Sequence, residues 1–499
     1  MEGSVGERLV RCLRSATVVA AIGIAAALVL GAASAGQVDA EPKDKGGKKN
    51  GQAIDTQANY TPGERFEPLA SSATCAPALD DPFVLPTDYA QQVVAREGEG
   101  GTIDLWDMNT QNEFGEDAGR YVYRTHETTT GSEVSVTDLQ EGDTTVLAQR
   151  ADWERFDGIV WTPWGTILAG EETSQAAVPD PQVPEARAGL VYEFFVDPEN
   201  PDQLVADDPR DTDGVQDGII ARPALGSKSH EGMRFDKQGY YYGISETNPG
   251  SIYRFVPDRK GDLSEGQLQA LKTEDGRTGQ GVWVDIPDEA ARTDAQAAAT
   301  AAGANGYNRP EDVETGESTG KDTNNGGNTL YVAITGTDEV LAVDLSSKKQ
   351  PFAYQYVGAE AGNAAPPEFD SPDNLALDSQ GNLAITEDPS TVTQGDDVWI
   401  AEPSQSGKRQ PAAEVGRFSS LKDCAAEPTG IYFALKGTSK FTEGTPREEL
   451  VTDESLFVNR QHAGQGTTLD QFVSIAPSEG ARGEDTGEDT GESGSGTGV

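Results

Sequence analysis

The fold is decided by two stretches that share one pattern, SHEGMRFDKQGYYYGISET (229–247) and SPDNLALDSQGNLAITEDP (371–389). Each begins with a short acidic motif, continues into an apolar strand, turns at Asp-x-x-Gly and ends in a second strand that leads to an acid. Looser copies of this unit lie at 157–173, 308–317, 427–440 and near 119–150. About six such units therefore recur along the chain at irregular spacing.

Strand-like runs dominate the rest of the sequence. Segments rich in β-branched and aromatic residues, which favour strands, lie at 121–127, 189–197, 250–257, 329–337, 397–403 and 455–462. One exception, the alanine-rich segment 288–304, is predicted to form a short helix in a connection. Repeated four-stranded units arranged radially are the blades of β-propellers. We therefore predict an all-β fold, a six-bladed β-propeller formed by residues 66–478 as a single domain.

Acidic residues open the repeats, at the start of the strand that would lie innermost in each blade. Because innermost strands line the central channel, these acids should converge there although long stretches of chain separate them. Clustered carboxylates repel one another unless cations neutralise them. Hard oxygen ligands favour Ca²⁺, and Fe or Mn where nitrogen or bridging groups join them. The sequence therefore predicts a metal cluster in the channel.

Both ends of the chain differ from the predicted domain. Three arginines precede an apolar run at 18–30 and Ala-Ser-Ala at 33–35, a pattern typical of a secretory signal peptide over residues 1–35. A single membrane anchor is the alternative, although the apolar run is short for it. Residues 36–65 are polar and glycine-rich, residues 479–499 are acidic and repetitive, and both are predicted to be disordered. No adjacent arginine pair marks a twin-arginine signal, so we expect Sec-type export to the periplasm or medium without a remaining membrane span.

The charge balance excludes one class of partner. The chain carries 38 basic and 84 acidic residues, a net charge of −46. Nucleic acid binding requires a basic patch on the protein, so we expect none here. Acidity of this size attracts cations, and adaptation of the surface to salt is the alternative explanation for many of the acids.

Two of the three cysteines, Cys75 and Cys424, lie outside the predicted signal peptide. An even pair in an exported protein predicts a disulfide, which would fasten together the two ends of the domain. Two free buried thiols are the alternative.

Other catalytic chemistry finds little support in the motifs. The chain has three histidines, no zinc-type Cys/His spacing, no Gly-x-Ser-x-Gly elbow and no Walker loop. Two of the histidines, His230 and His462, fall inside acidic motifs and are weaker candidates for the site. Arg309 stands two residues before Glu311, where its planar guanidinium suits a bidentate grip on phosphate. An ordinary ion pair with a neighbouring acid is the alternative for Arg309.

Taken together, these motifs resemble the PhoX family of secreted bacterial alkaline phosphatases. TPWGTILAGEE, which begins at Thr162, resembles the Thr-Pro-Trp-Gly-Thr…Glu-Glu signature of that family. SHEG, NRPED, SPDNLALDSQGNL and EPTGIYF…LFVNRQHAG resemble its later signatures in the same order. The resemblance extends from about residue 80 to residue 465.

The resemblance implies a six-bladed propeller that hydrolyses phosphomonoesters and holds calcium ions, with a pair of irons in the type enzymes. It implies that Arg309 is catalytic and binds phosphate. It implies metal ligands at Asp157, Glu231, Glu311, Asp373 and one of Glu171 and Glu172. Weaker candidates for the same cluster are Glu246, Glu387 and Glu427.

One residue departs from the family pattern. Asp157 stands where the type enzymes carry a cysteine that bridges the irons. A thiolate is a soft ligand and a carboxylate a hard one, although Asp can also bridge two metals. The departure favours several Ca²⁺ ions and puts the pair of Fe³⁺ ions in doubt.

The function predicted from the sequence is that of a secreted, metal-dependent phosphomonoesterase, a monomer that acts on small-molecule phosphate esters. One rival is a calcium-dependent propeller hydrolase of lactones or phosphotriesters, against which the lack of a catalytic histidine pair counts. The other rival is a non-catalytic secreted propeller stabilised by calcium, which Asp157 favours.

Overall fold

A computed structural model of the chain describes residues 66–77, 80–316, 328–359, 365–389, 393–404, 408–464 and 469–478. The predicted signal peptide (1–35), leader (36–65) and acidic tail (479–499) lie outside these residues. The described part is built almost entirely of antiparallel β-sheets in a β-propeller-like arrangement. The prediction of an all-β fold is confirmed.

Three of the five sheets have four strands each. The first has the order β3-β4-β5-β6 and the second β10-β9-β8-β7, while the third joins the two ends of the described chain in the order β2-β26-β25-β24. Their strands are β2 (Tyr89–Arg96), β3 (Trp106–Gln111), β4 (Tyr121–His126), β5 (Glu133–Asp138), β6 (Thr144–Gln149), β7 (Phe156–Trp161), β8 (Ile167–Glu171), β9 (Val191–Phe194), β10 (Ile219–Ala221), β24 (Glu427–Phe433), β25 (Leu456–Gln461) and β26 (Gln471–Pro477).

The other two sheets are larger. A five-stranded sheet has the order β1-β23-β22-β21-β20, and a nine-stranded sheet runs from β11 through β15, then β19, to β16. The strands of the five-stranded sheet are β1 (Phe83–Val84), β20 (Pro372–Leu377), β21 (Leu383–Glu387), β22 (Asp397–Glu402) and β23 (Glu414–Leu421). Those of the nine-stranded sheet are β11 (Met233–Phe235), β12 (Tyr241–Ile244), β13 (Ile252–Pro257), β14 (Gly266–Thr273), β15 (Gly279–Asp285), β16 (Pro310–Gly316), β17 (Thr329–Ile334), β18 (Glu339–Asp344) and β19 (Phe352–Val357).

Helices are few among the described residues. The predicted helix forms as α1 (Asp288–Ala302), and its buried alanines pack against the nine-stranded sheet. A short helix α2 (Ser439–Thr442) and three 3-10 turns, Glu99–Gly101, Pro223–Leu225 and Thr335–Thr337, complete the structure. Neither helix in the described part has both the length and the apolar sequence that crossing a membrane requires.

Apolar side chains pack between successive sheets and hold them together. Between the first two sheets, Trp153 packs against Phe156 and Tyr192, with ring centroids 4.8 and 5.5 Å apart. Every residue of β7 is buried, since neighbouring sheets cover both of its faces. Burial on both faces explains why the strand-like runs of the sequence show little polar alternation.

Six edge strands form a ring at the middle of the structure. They are β3, β7, β11, β16, β20 and β24; each lies beside the next, and β24 lies beside β3. In the nine-stranded sheet both edges, β11 and β16, belong to the ring. The first residues of all six strands are thereby brought to one place.

Contacts between distant parts of the chain close the ring. Strand β2 pairs along its whole length with β26, near the other end of the described chain. The structure also joins Cys75 to Cys424 by a disulfide, with the Cα atoms 5.4 Å apart. Since 349 positions separate the two cysteines, this bond removes a large part of the freedom of the unfolded chain.

Candidate metal centre

The edge strands aim their acids into the ring through β-bulges. In β3, β7, β16, β20 and β24 the register shifts after the first or third residue, so that two residues of the strand are left out of the ladder. A bulge bends its strand and redirects the side chains. In the first four of these strands the bulge begins with an acid, namely Asp107, Asp157, Glu311 and Asp373. Glu231 stands just ahead of β11.

A second set of acids comes from the far end of the next strand in the sheet. Glu127 follows β4, Glu172 follows β8, Asp388 follows β21, and Glu246 stands two residues after β12. The backbone N–H of each donates to a carbonyl just ahead of the neighbouring edge strand, at 2.8 to 3.1 Å. For Glu127, Glu172 and Asp388 these bonds extend the ladder by one step, and all four bonds hold the second set of acids near the first.

Both sets line one cavity of about 260 Å³. Ten carboxyl groups face it, together with three groups that can carry positive charge and three neutral polar side chains. The acids are Asp107, Glu127, Asp157, Glu172, Glu231, Glu246, Glu311, Asp373, Asp388 and Glu427; the other residues are Arg155, Arg309, His462, Asn374, Thr429 and Gln461. Acids from every part of the described chain thus meet in one place.

Burial and neighbouring carboxyl groups raise the pKa of several of these acids. Burial, and next the charge of Glu127, raises the pKa of Asp107 well above its ordinary value. Burial, and next the charge of Asp107, does the same to the pKa of Asp157. Burial raises the pKa of Glu311 to about 7, against the effect of hydrogen bonding from Glu231. The protein alone therefore does not supply enough positive charge to ionise all of these carboxyl groups.

Three of the acids are close enough to share one ion. Carboxylate oxygens of Glu231, Glu311 and Asp373 all lie within 4.8 Å of one another. In addition, the Oδ1 atom of Asp157 is buried and has no hydrogen-bond partner among the described residues. A donor set of carboxylate oxygens, one of them buried without a partner, fits a hard cation.

The structure separates the two adjacent glutamates predicted as metal ligands. Glu172 lines the cavity, and its carboxyl group lies within hydrogen-bonding distance of that of Glu246. Glu171 points the other way, where its two oxygens accept hydrogen bonds from the backbone N–H groups of Glu154 and Leu190, both at 2.9 Å. Successive residues of a strand face opposite sides, which is the reason for the split. Of this pair, from which one channel ligand was predicted, Glu172 lies at the cavity and Glu171 lies outside it.

Two weaker candidates also lie outside the cavity. The carboxylate of Glu387 accepts hydrogen bonds from the Asp370 N–H at 2.8 Å and from the indole of Trp399 at 2.7 Å. The ring of His230 is fully buried, with its nitrogens at 2.9 Å from Lys228 Nζ and 2.8 Å from the Gly226 carbonyl. Both side chains thus hydrogen-bond to groups of the surrounding structure, and neither lines the cavity.

Arg309 and His462 do reach the cavity, each held by acids. Arg309 donates from Nε to Glu246 at 2.7 Å, and its Nη2 lies 3.0 Å from Glu311. His462 Nε2 lies 3.0 Å from Glu427, and this hydrogen bond raises the pKa of His462 to about 9. A protonated imidazole has no lone pair to offer a metal, so His462 contributes positive charge in this arrangement.

Sequence reasoning missed Asp107, Glu127, Asp388 and Arg155, although a signal for each was present. LWDM (105–108) has the same layout as RFDG (155–158), with a large apolar residue before the acid. Glu127 and Asp388 end strands just as Glu172 does. Each could have been found by superposing the repeats position by position.

Exchanging the two adjacent glutamates one at a time should separate their roles. We expect Glu171→Gln to lower the free energy of unfolding by about 1–3 kcal/mol, because the amide leaves one buried backbone N–H without an acceptor. Its calcium affinity should stay close to that of the unchanged protein. Glu172→Gln should instead weaken calcium binding and leave the metal-free stability the same or higher. Denaturant titration and calorimetric calcium titration of the two variants check this, and reversed effects would contradict the assignment.

Comparisons with known proteins agree with this architecture. A family model described as "Alkaline phosphatase PhoX" matches residues 160–464. No curated protein sequence matches the chain. Among solved structures, Pseudomonas fluorescens PhoX in complex with vanadate, a transition state analogue, is similar with a TM-score of 0.55 and 17% identity over 85% of this chain and 98% of that chain.

Two other solved structures are less similar to this chain. A gluconolactonase of Xanthomonas campestris has a TM-score of 0.42 and 10% identity over 83% of this chain and 99% of that chain. A calcium-binding regucalcin of Agrobacterium tumefaciens has a TM-score of 0.38 and 13% identity over 80% of this chain and 97% of that chain.

The family match spans more than half of the chain and includes most of the acids of the cavity. The likeness to the Pseudomonas fluorescens structure supports the same fold. The chain belongs to the alkaline phosphatase PhoX family.

Proposed function

We propose that this protein is an exported, metal-dependent phosphomonoesterase whose reaction takes place in the carboxylate cavity. The observation that carries the proposal is the meeting of ten carboxyl groups with Arg309 around one cavity, in a chain of the PhoX family. The substrates we propose are small-molecule phosphate esters, which a cavity of about 260 Å³ can admit in part.

We also infer that the fold has six blades in a single domain over residues 66–478. The nine-stranded sheet contributes two strands, β11 and β16, to the ring, and the ladder between its halves, from β15 to β19, has two residue pairs. Counting it as two blades brings the total to six, one for each edge strand of the ring. N-terminal sequencing of the exported protein tests the predicted signal peptide, which would leave Gly36 first, or Glu41 if cleavage follows Ala40.

The metal ligands we propose are Asp157, Glu172, Glu231, Glu311 and Asp373, with Asp107, Glu127, Glu246, Asp388 and Glu427 close by. All offer carboxylate oxygen, the donor that Ca²⁺ prefers, so we propose several Ca²⁺ ions. Elemental analysis of the purified protein will show whether Fe³⁺ accompanies them. Cations held by these carboxylates would act as Lewis acids toward the phosphoryl oxygens of the substrate.

Arg309 is the group that we propose to bind the phosphoryl oxygens directly. Glu246 and Glu311 hold its Nε and Nη2, which fixes the plane of the guanidinium. Its Nη1 has no partner among the described residues and is therefore free to donate to a phosphate oxygen. Positive charge fixed beside a transferring phosphoryl group stabilises the charge that develops there. The strand ends that surround the cavity hold this arrangement in place before substrate arrives.

The test is phosphate release by the purified full-length protein. With calcium, with and without iron, we expect hydrolysis of p-nitrophenyl phosphate that a chelator abolishes and added metal restores. Bis(p-nitrophenyl) phosphate, a diester, should react much more slowly because it cannot present the same set of free phosphoryl oxygens. A lactone panel serves as the control for hydrolases of the other class.

Two results would contradict the proposal. Absence of phosphate release at every metal loading, with calcium still bound, would favour a non-catalytic propeller. Asp157 favours the same hypothesis. Turnover of diesters or lactones in preference to monoesters would favour the other hydrolase class.

A further inference from the structure

A second arginine, Arg155, stands in the same structural position as Arg309. Each is the residue immediately before an edge strand of the ring, β7 for Arg155 and β16 for Arg309. Each adopts a left-handed backbone conformation, with φ of 47° and 53°. Residues other than glycine adopt this conformation rarely, at a cost of about 1–3 kcal/mol, and keep it where the surroundings fix it.

The backbone contacts of the two arginines are also equivalent. The carbonyl of Arg155 accepts a hydrogen bond from the N–H of Glu172 at 2.8 Å, and that of Arg309 accepts one from Thr335 at 3.0 Å. In both cases the donor is the residue that directly follows the second strand of the sheet, β8 or β17. The fold therefore presents both side chains to the cavity in the same way, and both line it.

Arg155 keeps more free hydrogen-bonding groups than Arg309. Its Nη1 donates to Glu127 at 3.0 Å and lies 3.9 Å from Glu172. Its Nε and Nη2 have no hydrogen-bond partner among the described residues, and 44% of the side chain is exposed. Two adjacent free N–H groups of a guanidinium match the oxygens of a phosphate or a carboxylate.

A short chain of contacts connects the two arginines. Nη1 of Arg155 is 3.9 Å from Glu172, whose carboxyl group is within hydrogen-bonding distance of Glu246. Glu246 in turn accepts from Nε of Arg309 at 2.7 Å. Two neighbouring carboxyl groups, those of Glu172 and Glu246, lie between the guanidinium groups along this path, so the two arginines are close enough for one small molecule with two anionic groups.

We propose that Arg155 binds a second anionic group of the substrate. This inference rests on the proposed function, in which Arg309 holds the phosphoryl group that is transferred. The preferred substrates are then phosphate monoesters that carry another phosphate or a carboxylate. In a cavity lined by ten carboxyl groups, an anionic group that is not bound by a metal needs a positive partner of its own, and Arg155 is placed to provide it.

Matched substrate pairs test this with the full-length, calcium-loaded protein. Fructose 6-phosphate and fructose 1,6-bisphosphate differ by a second phosphate, while glycerol 3-phosphate and 3-phosphoglycerate differ by a carboxylate. We expect Arg155→Gln to lower kcat/KM about tenfold or more for the doubly anionic member of a pair relative to its partner. An effect in the first pair alone identifies phosphate as the second group, and an effect in both pairs identifies any small oxyanion.

Three further variants make the result decisive. Arg309→Gln should lower kcat/KM for both members of each pair, and the exposed Arg259→Gln, with 79% of its side chain exposed, should change neither. Arg155→Lys keeps the charge but not the planar fork, so it should show a smaller selective loss and replaces Arg155→Gln if that variant fails to fold. Equal losses for both members, or none, would overturn the inference while phosphatase activity upheld the proposed function. A calcium-loaded protein without activity on any of the four substrates would overturn both.

Discussion

Glu311→Gln should lower kcat/KM for p-nitrophenyl phosphate at least about 100-fold, an effect of the size seen when the ligand shell of a catalytic metal is disturbed. Glu311 joins the two halves of the site. Its carboxylate oxygen belongs to the group of three acids that lie within 4.8 Å, and it also contacts Arg309 at 3.0 Å. A neutral amide removes a negative charge from the proposed metal ligands and replaces one of the two charged anchors of the guanidinium with a weaker acceptor.

Metal content separates the two consequences of the change. If the metals are lost, elemental analysis will show fewer ions per chain and excess calcium will restore part of the activity. If only Arg309 is misplaced, the metal content will be normal, kcat/KM will still be low, and excess calcium will not restore the activity. Glu368→Gln, at an exposed position away from the cavity, is the matched control and should behave like the unchanged protein. Normal activity of Glu311→Gln would show that the reaction does not take place in this cavity.

The repeated motifs were sufficient to predict the all-β fold, because each unit carries its own strands and turn within some twenty residues. The pairing of β2 with β26 could not be predicted in the same way. Its partners are nearly the whole domain apart, and no local pattern marks a strand from one end of a chain as the neighbour of one from the other. Likewise, nothing in Gly279–Asp285 signals that this strand joins β19 and merges two sheets.

The acids of the cavity could be predicted where the bulge lies within a recognisable sequence motif. Glu311 and Asp373 each come directly after a proline that begins an edge strand, and both face the cavity. Asp107 occupies the same bulge in β3, yet it follows tryptophan and resembled an ordinary buried strand. The orientation of Glu171 and Glu172 depends on which residue ends the ladder of β8. A shift of one residue would exchange their orientations, and composition does not determine this position.

Without metal, the folded protein should become less stable as the pH rises. In the metal-free cavity, burial raises the pKa of Glu311 from its ordinary 4.5 to about 7, and burial with nearby carboxyl groups raises the pKa of Asp107, Asp157 and Glu231 well above ordinary values. The folded form thus holds protons that the unfolded chain has already released. The stability that Glu311 contributes in this way is complete below about pH 4 and is lost as the pH rises through 7, and that of the other three is lost above their ordinary pKa range. At about 1.4 kcal/mol for each unit of pKa, Glu311 alone accounts for roughly 3 kcal/mol.

Thermal unfolding at pH 5 and pH 8, in chelator and in calcium, measures this effect. In chelator we expect the melting temperature to fall by several degrees between the two pH values, because the carboxyl groups ionise against one another. If the ionised carboxylates bind calcium as proposed, proton loss favours binding. The difference in melting temperature between the calcium-loaded and the metal-free protein should then be larger at pH 8 than at pH 5. Burial also raises the pKa of acids outside the cavity, Glu171 to about 8 and Asp396 to about 9. Glu311→Gln in chelator therefore isolates the contribution of Glu311, and its melting temperature should fall less between pH 5 and pH 8. A metal-free protein that is at least as stable at pH 8 as at pH 5 would mean that these carboxyl groups are not crowded in solution.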